Sequence, residues 1–77
     1  MAYTVEGYRG GEVVGFRRVA RPDTVLRTAS HYTLDRGADT VWVRDGSGTA
    51  VYTYNGMFWS KHRGDAAIEA AITASEQ

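Results

Sequence analysis

The amino-acid sequence predicts a small α+β domain with element order ββαββα, an antiparallel sheet with one helix packed on a face and a short helix at the C-terminus. Three observations carry that expectation. Thr40 to Tyr54, TVWVRDGSGTAVYTY, alternates apolar and polar residues on both sides of an Asp-Gly-Ser-Gly turn; Tyr3 to Ala20 repeats the pattern around Arg9-Gly10-Gly11-Glu12; and a helix-period stretch opened by Pro22-Asp23 and closed by Gly37 separates the two. Two hairpins and a helix in that order fold most economically as one antiparallel sheet.

In the first hairpin, a Gly10-Gly11 turn supplies the two positive φ angles of a tight primed turn. It sets Arg9 against Glu12, Tyr8 against Val13, Gly7 against Val14, Val5 against Phe16 and Thr4 against Arg17. Glycines 7, 10, 11 and 15 favour a twisted or bulged ladder over a regular one. In the second hairpin, a tip at Gly46-Ser47 sets Val43 against Ala50, Trp42 against Val51 and Val41 against Tyr52. Period two then divides it into a core face of Val41, Val43, Ala50, Tyr52 and Tyr54 and a mixed face of Trp42, Arg44, Thr49, Val51 and Thr53.

Between the hairpins, Asp23 is expected to cap a helix running to about Arg36. Val25, Leu26, Ala29, Tyr32 and Thr33 form its buried stripe, with Arg27, Thr28, His31 and Asp35 opposite and Gly37 as the left-handed C-terminal cap. After Asn55-Gly56 comes Met57-Phe58-Trp59, with no single burial pattern, then the cationic run Ser60-Lys61-His62-Arg63. Asp65 is expected to cap the alanine-rich last helix, with Ile68, Ala71, Ile72 and Ser75 buried.

Seventy-seven residues are expected to make a single domain, 1–77, able to bury only about 60% of its unfolded surface. The absence of cysteine removes disulfides, thiolate metal sites and a cysteine nucleophile. Nine basic and nine acidic residues balance to zero net charge, which disfavours a protein built to coat nucleic acid or an anionic membrane. No apolar run approaches a membrane span and the first ten residues lack the pattern of an export signal, so a cytoplasmic location is expected. Eight of the nine basic residues are Arg, and only Lys61 is Lys. With abundant Ala, Gly, Val and Asp, that composition resembles small accessory proteins of GC-rich actinobacteria and their bacteriophages, a resemblance of composition without a family motif. It implies a small protein that binds and modulates a host protein.

The residues themselves point to binding rather than catalysis. Tyr8, Val13, Arg17, Trp42, Arg44 and Val51 share the mixed sheet face, and a Trp among Arg and Thr is more apolar than a solvated face requires. The expected cover is the last helix, a symmetry mate in a homodimer, or a partner protein. The segment holding Phe58, Trp59, Lys61, His62 and Arg63 is the second candidate surface, with one of its two aromatics expected in the core. Aromatic rings beside arginines also suit a nucleic-acid platform, though the signature of an RNA-recognition domain is missing. No catalytic, metal or cofactor site is expected. His31 and Asp35 read as a solvated helix pair, two histidines make no zinc site, and no phosphate-loop or hydrolase motif occurs. Arg63-Gly64-Asp65 reads as a helix cap.

Overall fold

The computed structural model describes residues 2–76. Strands β1 (Tyr3–Arg9), β2 (Glu12–Val19), β3 (Thr40–Arg44), β4 (Ala50–Tyr54) and β5 (Trp59–Lys61) form one antiparallel sheet in the order β2-β1-β3-β4-β5, with helices α1 (Pro22–Asp35) and α2 (Ala66–Ser75). The α+β class holds. The Met57 to Arg63 segment contributes a short edge strand that the sequence did not announce, because three residues carry too little alternation to read. Asn55 makes the turn into it, its side chain accepting from the amides of Met57 and Phe58 at 2.9 and 2.7 Å.

Both helices lie on the same side of the sheet. α1 packs across β1, β2 and β3 and against α2. The enclosed core joins Val5, Val19, Val41, Val43 and Tyr52 of the sheet to Val25, Ala29 and Tyr32 of α1 and to Ile68 of α2. Pro22, at the first position of α1, supplies a pre-set φ at no cost in hydrogen bonds. Asp23 is not the cap: Arg21 holds that position without a side-chain bond, while Asp23 pairs with Arg21 and Arg27. Thr28, expected outside, is buried, and Gly37 takes φ 69° as the left-handed cap. Asp65 does cap α2, accepting from Ala67 N and Ile68 N at 3.0 and 3.1 Å and receiving the Tyr3 hydroxyl at 3.1 Å, which ties the last helix to β1. Ser75 is exposed rather than buried.

Each hairpin carries a bulge. Gly10 and Gly11 turn with φ 57° and 83°, and Arg9/Glu12 and Tyr8/Val13 pair as expected. The register then slips by one, so that Gly7 meets Gly15, Glu6 meets Phe16, Val5 meets Arg17 and Thr4 meets Arg18. A slip of one residue turns every later side chain to the opposite face. Phe16 therefore leaves the core and Arg17 leaves the mixed face. Tyr32 explains the choice: its ring lies on the Gly7/Gly15 pair, so close that a Cβ at Gly15 would stand 2.5 Å from Cε1. Only paired glycines leave room for that aromatic.

In the second hairpin the turn is one residue longer than expected. Asp45 Oδ1 accepts from Ser47 N, Ser47 Oγ and Thr49 N at 2.9, 2.6 and 3.1 Å, and Gly48 takes φ 85°. A bulge after Arg44/Ala50 adds a second shift, giving Val43/Tyr52, Trp42/Thr53 and Val41/Tyr54. Two shifts of one restore the predicted faces beyond the bulge. Ala50 comes to lie opposite Arg44, and Val51, the extra residue, is buried in the core at 2% exposure. Val14, the extra residue of the first hairpin, packs against the same core.

Candidate binding face

Strand alternation on β1, β3 and β4, together with the flipped register of β2, sends one set of side chains away from both helices. That set includes Thr4, Glu6 and Tyr8 of β1, Val13, Phe16 and Arg18 of β2, Trp42 and Arg44 of β3, and Thr53 of β4. At its centre Trp42 lies between Glu6 on β1 and Thr53 on β4. His62, just beyond β5, stacks on the Trp42 ring at 5.3 Å and 16°, and its Nε2 shares a hydrogen bond of 3.0 Å with Thr53 Oγ1. The Arg44 guanidinium stands 5.7 Å from the Trp42 ring centre while its Nε donates to Glu6 Oε1 at 3.2 Å. Tyr8 donates to the same carboxylate oxygen at 3.2 Å. One run of contacts, Tyr8 to Glu6 to Arg44 to Trp42 to His62 to Thr53, thus crosses the sheet. Burial, and then the neighbouring Glu6 carboxylate, push the Tyr8 phenol above its ordinary pKa, so Tyr8 stays a donor.

The rim nearest β2 is apolar and open. Phe16 is 60% exposed and Val13 59%. Neither helix reaches this side, so the last helix is not the cover expected for Trp42.

Four of the predicted contact residues, Tyr8, Trp42, Arg44 and His62, come together here. Others do not. Arg17 lies on the helix side, lining a groove against α1. Val51 is buried and offers no contact surface. Trp59 seals the core edge, stacked on Tyr54 at 4.5 Å and edge-on to Tyr52 at 6.3 Å, while Phe58 stays exposed at the β4–β5 turn beside Met57. One of the two aromatics is thus core and the other surface. Lys61 is exposed opposite Tyr52, on the helix side of β5. Arg63 is exposed near Asp45, whose carboxyl is held below its ordinary pKa chiefly by the Ser47 hydroxyl. Glu6 and Phe16 are the members that the sequence did not single out; the Gly7/Gly15 spacing that flips β2 was the signal available for Phe16.

Among the described residues no three His, Asp or Glu side chains converge to hold a metal ion. His31 and Asp35 meet at 2.7 Å on the outer surface of α1, half-exposed, without a nucleophile hydrogen-bonded to them. No helix among the described residues is long and apolar enough to cross a membrane.

These features define a small α+β domain with both helices on one side and an uncovered aromatic sheet face on the other. No family model matches the chain, and neither the curated proteins nor the solved structures searched contain a significant match.

Proposed function

We propose that the protein is a non-enzymatic protein-binding module whose contact surface is the uncovered sheet face centred on Trp42. The observation that carries this reading is the placement of both helices on the far side, which leaves the face without a helix over it, Phe16 and Val13 exposed and Trp42 and Tyr8 half-buried among their polar neighbours. Aromatic residues with Arg are the composition that interface centres favour. Arg44 and Glu6, already paired, give the partner a fixed arrangement of one positive and one negative group instead of a single-sign field. Phe58 and Arg63 are exposed on either side of β5 in the chain, while Lys61 lies on its helix side. A homodimer through this face is the simplest engagement. The compositional resemblance to phage accessory proteins points instead to a host protein as partner.

The nucleic-acid reading has less behind it. Of the four residues such a platform would use, Tyr8, Arg17, Trp42 and Arg44, Arg17 lies on the other side of the sheet, and Trp42 is already stacked by His62, which a base would have to displace.

The test combines mass in solution over a concentration series with affinity capture, with and without nuclease, for wild type, Trp42→Ala and Phe16→Ser. A dimer mass, or a single captured protein retained through nuclease, supports the reading if either variant abolishes it. Capture lost on nuclease treatment would transfer the face to nucleic acid. A monomer with no face-dependent partner overturns the proposal.

A further inference from the structure

On the opposite side of the molecule, independent of the sheet face, a groove runs between α1 and the edge strand β2. Arg17 enters it from β2; Arg27, Thr28, His31, Tyr32 and Arg36 enter it from α1 and its C-terminal cap. Residues 28, 32 and 36 recur every four positions, which aligns them along one ridge of the helix. The register slip in β2 is what turns Arg17 toward them.

Arg27 is already paired with Asp23 at 3.5 Å, and His31 is hydrogen-bonded to Asp35 at 2.7 Å. Among the described residues, neither Arg17 nor Arg36 has a carboxylate within ion-pair distance. Arg36 is nonetheless held in place, since its Nη1 donates to Val14 O at 3.2 Å and leaves its other N–H groups unspent. Tyr32 adds a hydroxyl. The residue is 5% exposed, its ring passes from Gly7 over Gly15 toward β2, and both guanidinium groups lie close enough to act on its phenol. The ring is locked by the glycine pair beneath it.

Two guanidinium groups without an ion-pair partner and a positioned phenol hydroxyl turn N–H and O–H donors and two positive charges into the groove. A phosphomonoester carries roughly −1.5 to −2 at neutral pH, whereas a carboxylate would leave one cation unmatched. We propose that the groove between α1 and β2 binds a phosphate monoester group, gripped by Arg17 and Arg36 with the Tyr32 hydroxyl donating to a phosphate oxygen. Such a group comes either from a small phosphorylated metabolite or from a phosphorylated side chain of another protein; both present the same dianion.

The experiment is an amide-resolved magnetic-resonance titration of the whole chain with inorganic phosphate, O-phosphoserine and a phosphoserine tetrapeptide, with acetate as the control anion. Saturable shifts at Arg17, Tyr32 and Arg36 are expected with the phosphates and not with acetate. Affinity should fall about tenfold in Arg17→Ala and in Arg36→Ala and severalfold in Tyr32→Phe, the loss expected for one charge-assisted or one neutral hydrogen bond. Arg18→Ala, on the opposite face, should bind as wild type. Tighter binding of the tetrapeptide than of O-phosphoserine assigns the group to a protein; equal binding assigns it to a small molecule. Shifts that do not saturate, or that persist in all three groove variants, or that acetate reproduces, overturn the site.

Discussion

Gly15→Ala tests the packing that sets the orientation of β2. The new Cβ would stand 2.5, 2.6 and 2.7 Å from Cε1, Cζ and Cδ1 of Tyr32, where ordinary carbon contacts are about 3.5–4.0 Å. The ring must therefore retreat by about 1 Å, and it has little freedom to do so, because its other edge already lies on Gly7, with Cδ2 3.0 Å from where a Cβ there would be. Overpacking of this kind costs about 1–3 kcal/mol, offset by about 0.4–1 kcal/mol for the reduced freedom of the unfolded chain. A net loss of about 1–2 kcal/mol should lower the melting temperature by roughly 5–15 °C in a domain of this size. Urea unfolding followed by tryptophan fluorescence and far-ultraviolet dichroism would measure it. The decisive control is a double-mutant cycle: in a Tyr32→Ala background the same substitution should be neutral or stabilising, giving a coupling of about 1–3 kcal/mol. If Gly15→Ala is as stable as wild type, or costs the same in both backgrounds, Tyr32 does not dictate the register.

Trp59→Ala and Phe58→Ala should separate cleanly in thermal melts: about 2–4 kcal/mol lost for the ring stacked between Tyr54 and Tyr52, and less than about 0.5 kcal/mol for its exposed neighbour; equal effects would contradict the placement of β5. Stability should also fall in alkali. Burial, above all, holds the phenols of Tyr3, Tyr8, Tyr32 and Tyr52 above their ordinary value of 10.0, reinforced at Tyr3 by its bond to Asp65. The unfolded chain therefore releases these protons first, so stability is full below about pH 10 and declines as pH rises through the folded values. A urea midpoint unchanged between about pH 8 and pH 11 would refute that linkage.

Most of the local structure was legible in the residues. Gly10-Gly11, Pro22, Gly37 and Asp65 each do the backbone work that their chemistry demands, and the helix and strand periods place every long element. The candidate face was half legible: Tyr8, Trp42 and Arg44 were found by alternation, and His62 was found as part of a different surface. Arg17 and Val51 were misplaced for one reason. A bulge costs little locally, leaves no mark in period two, and reverses or absorbs the side chains that follow it.

By itself the sequence determined that two glycine-turned hairpins and two capped helices would make a single-sheet α+β domain, because turns, caps and periods depend on neighbours along the chain. Only the tertiary structure decided the registers, the side on which α2 packs, and hence which face is left open and which arginines meet in the groove. Those outcomes depend on long-range fit: a buried tyrosine needs two glycines beneath it, and two valines, Val14 and Val51, gain more by joining the core than regular ladders would by keeping their count.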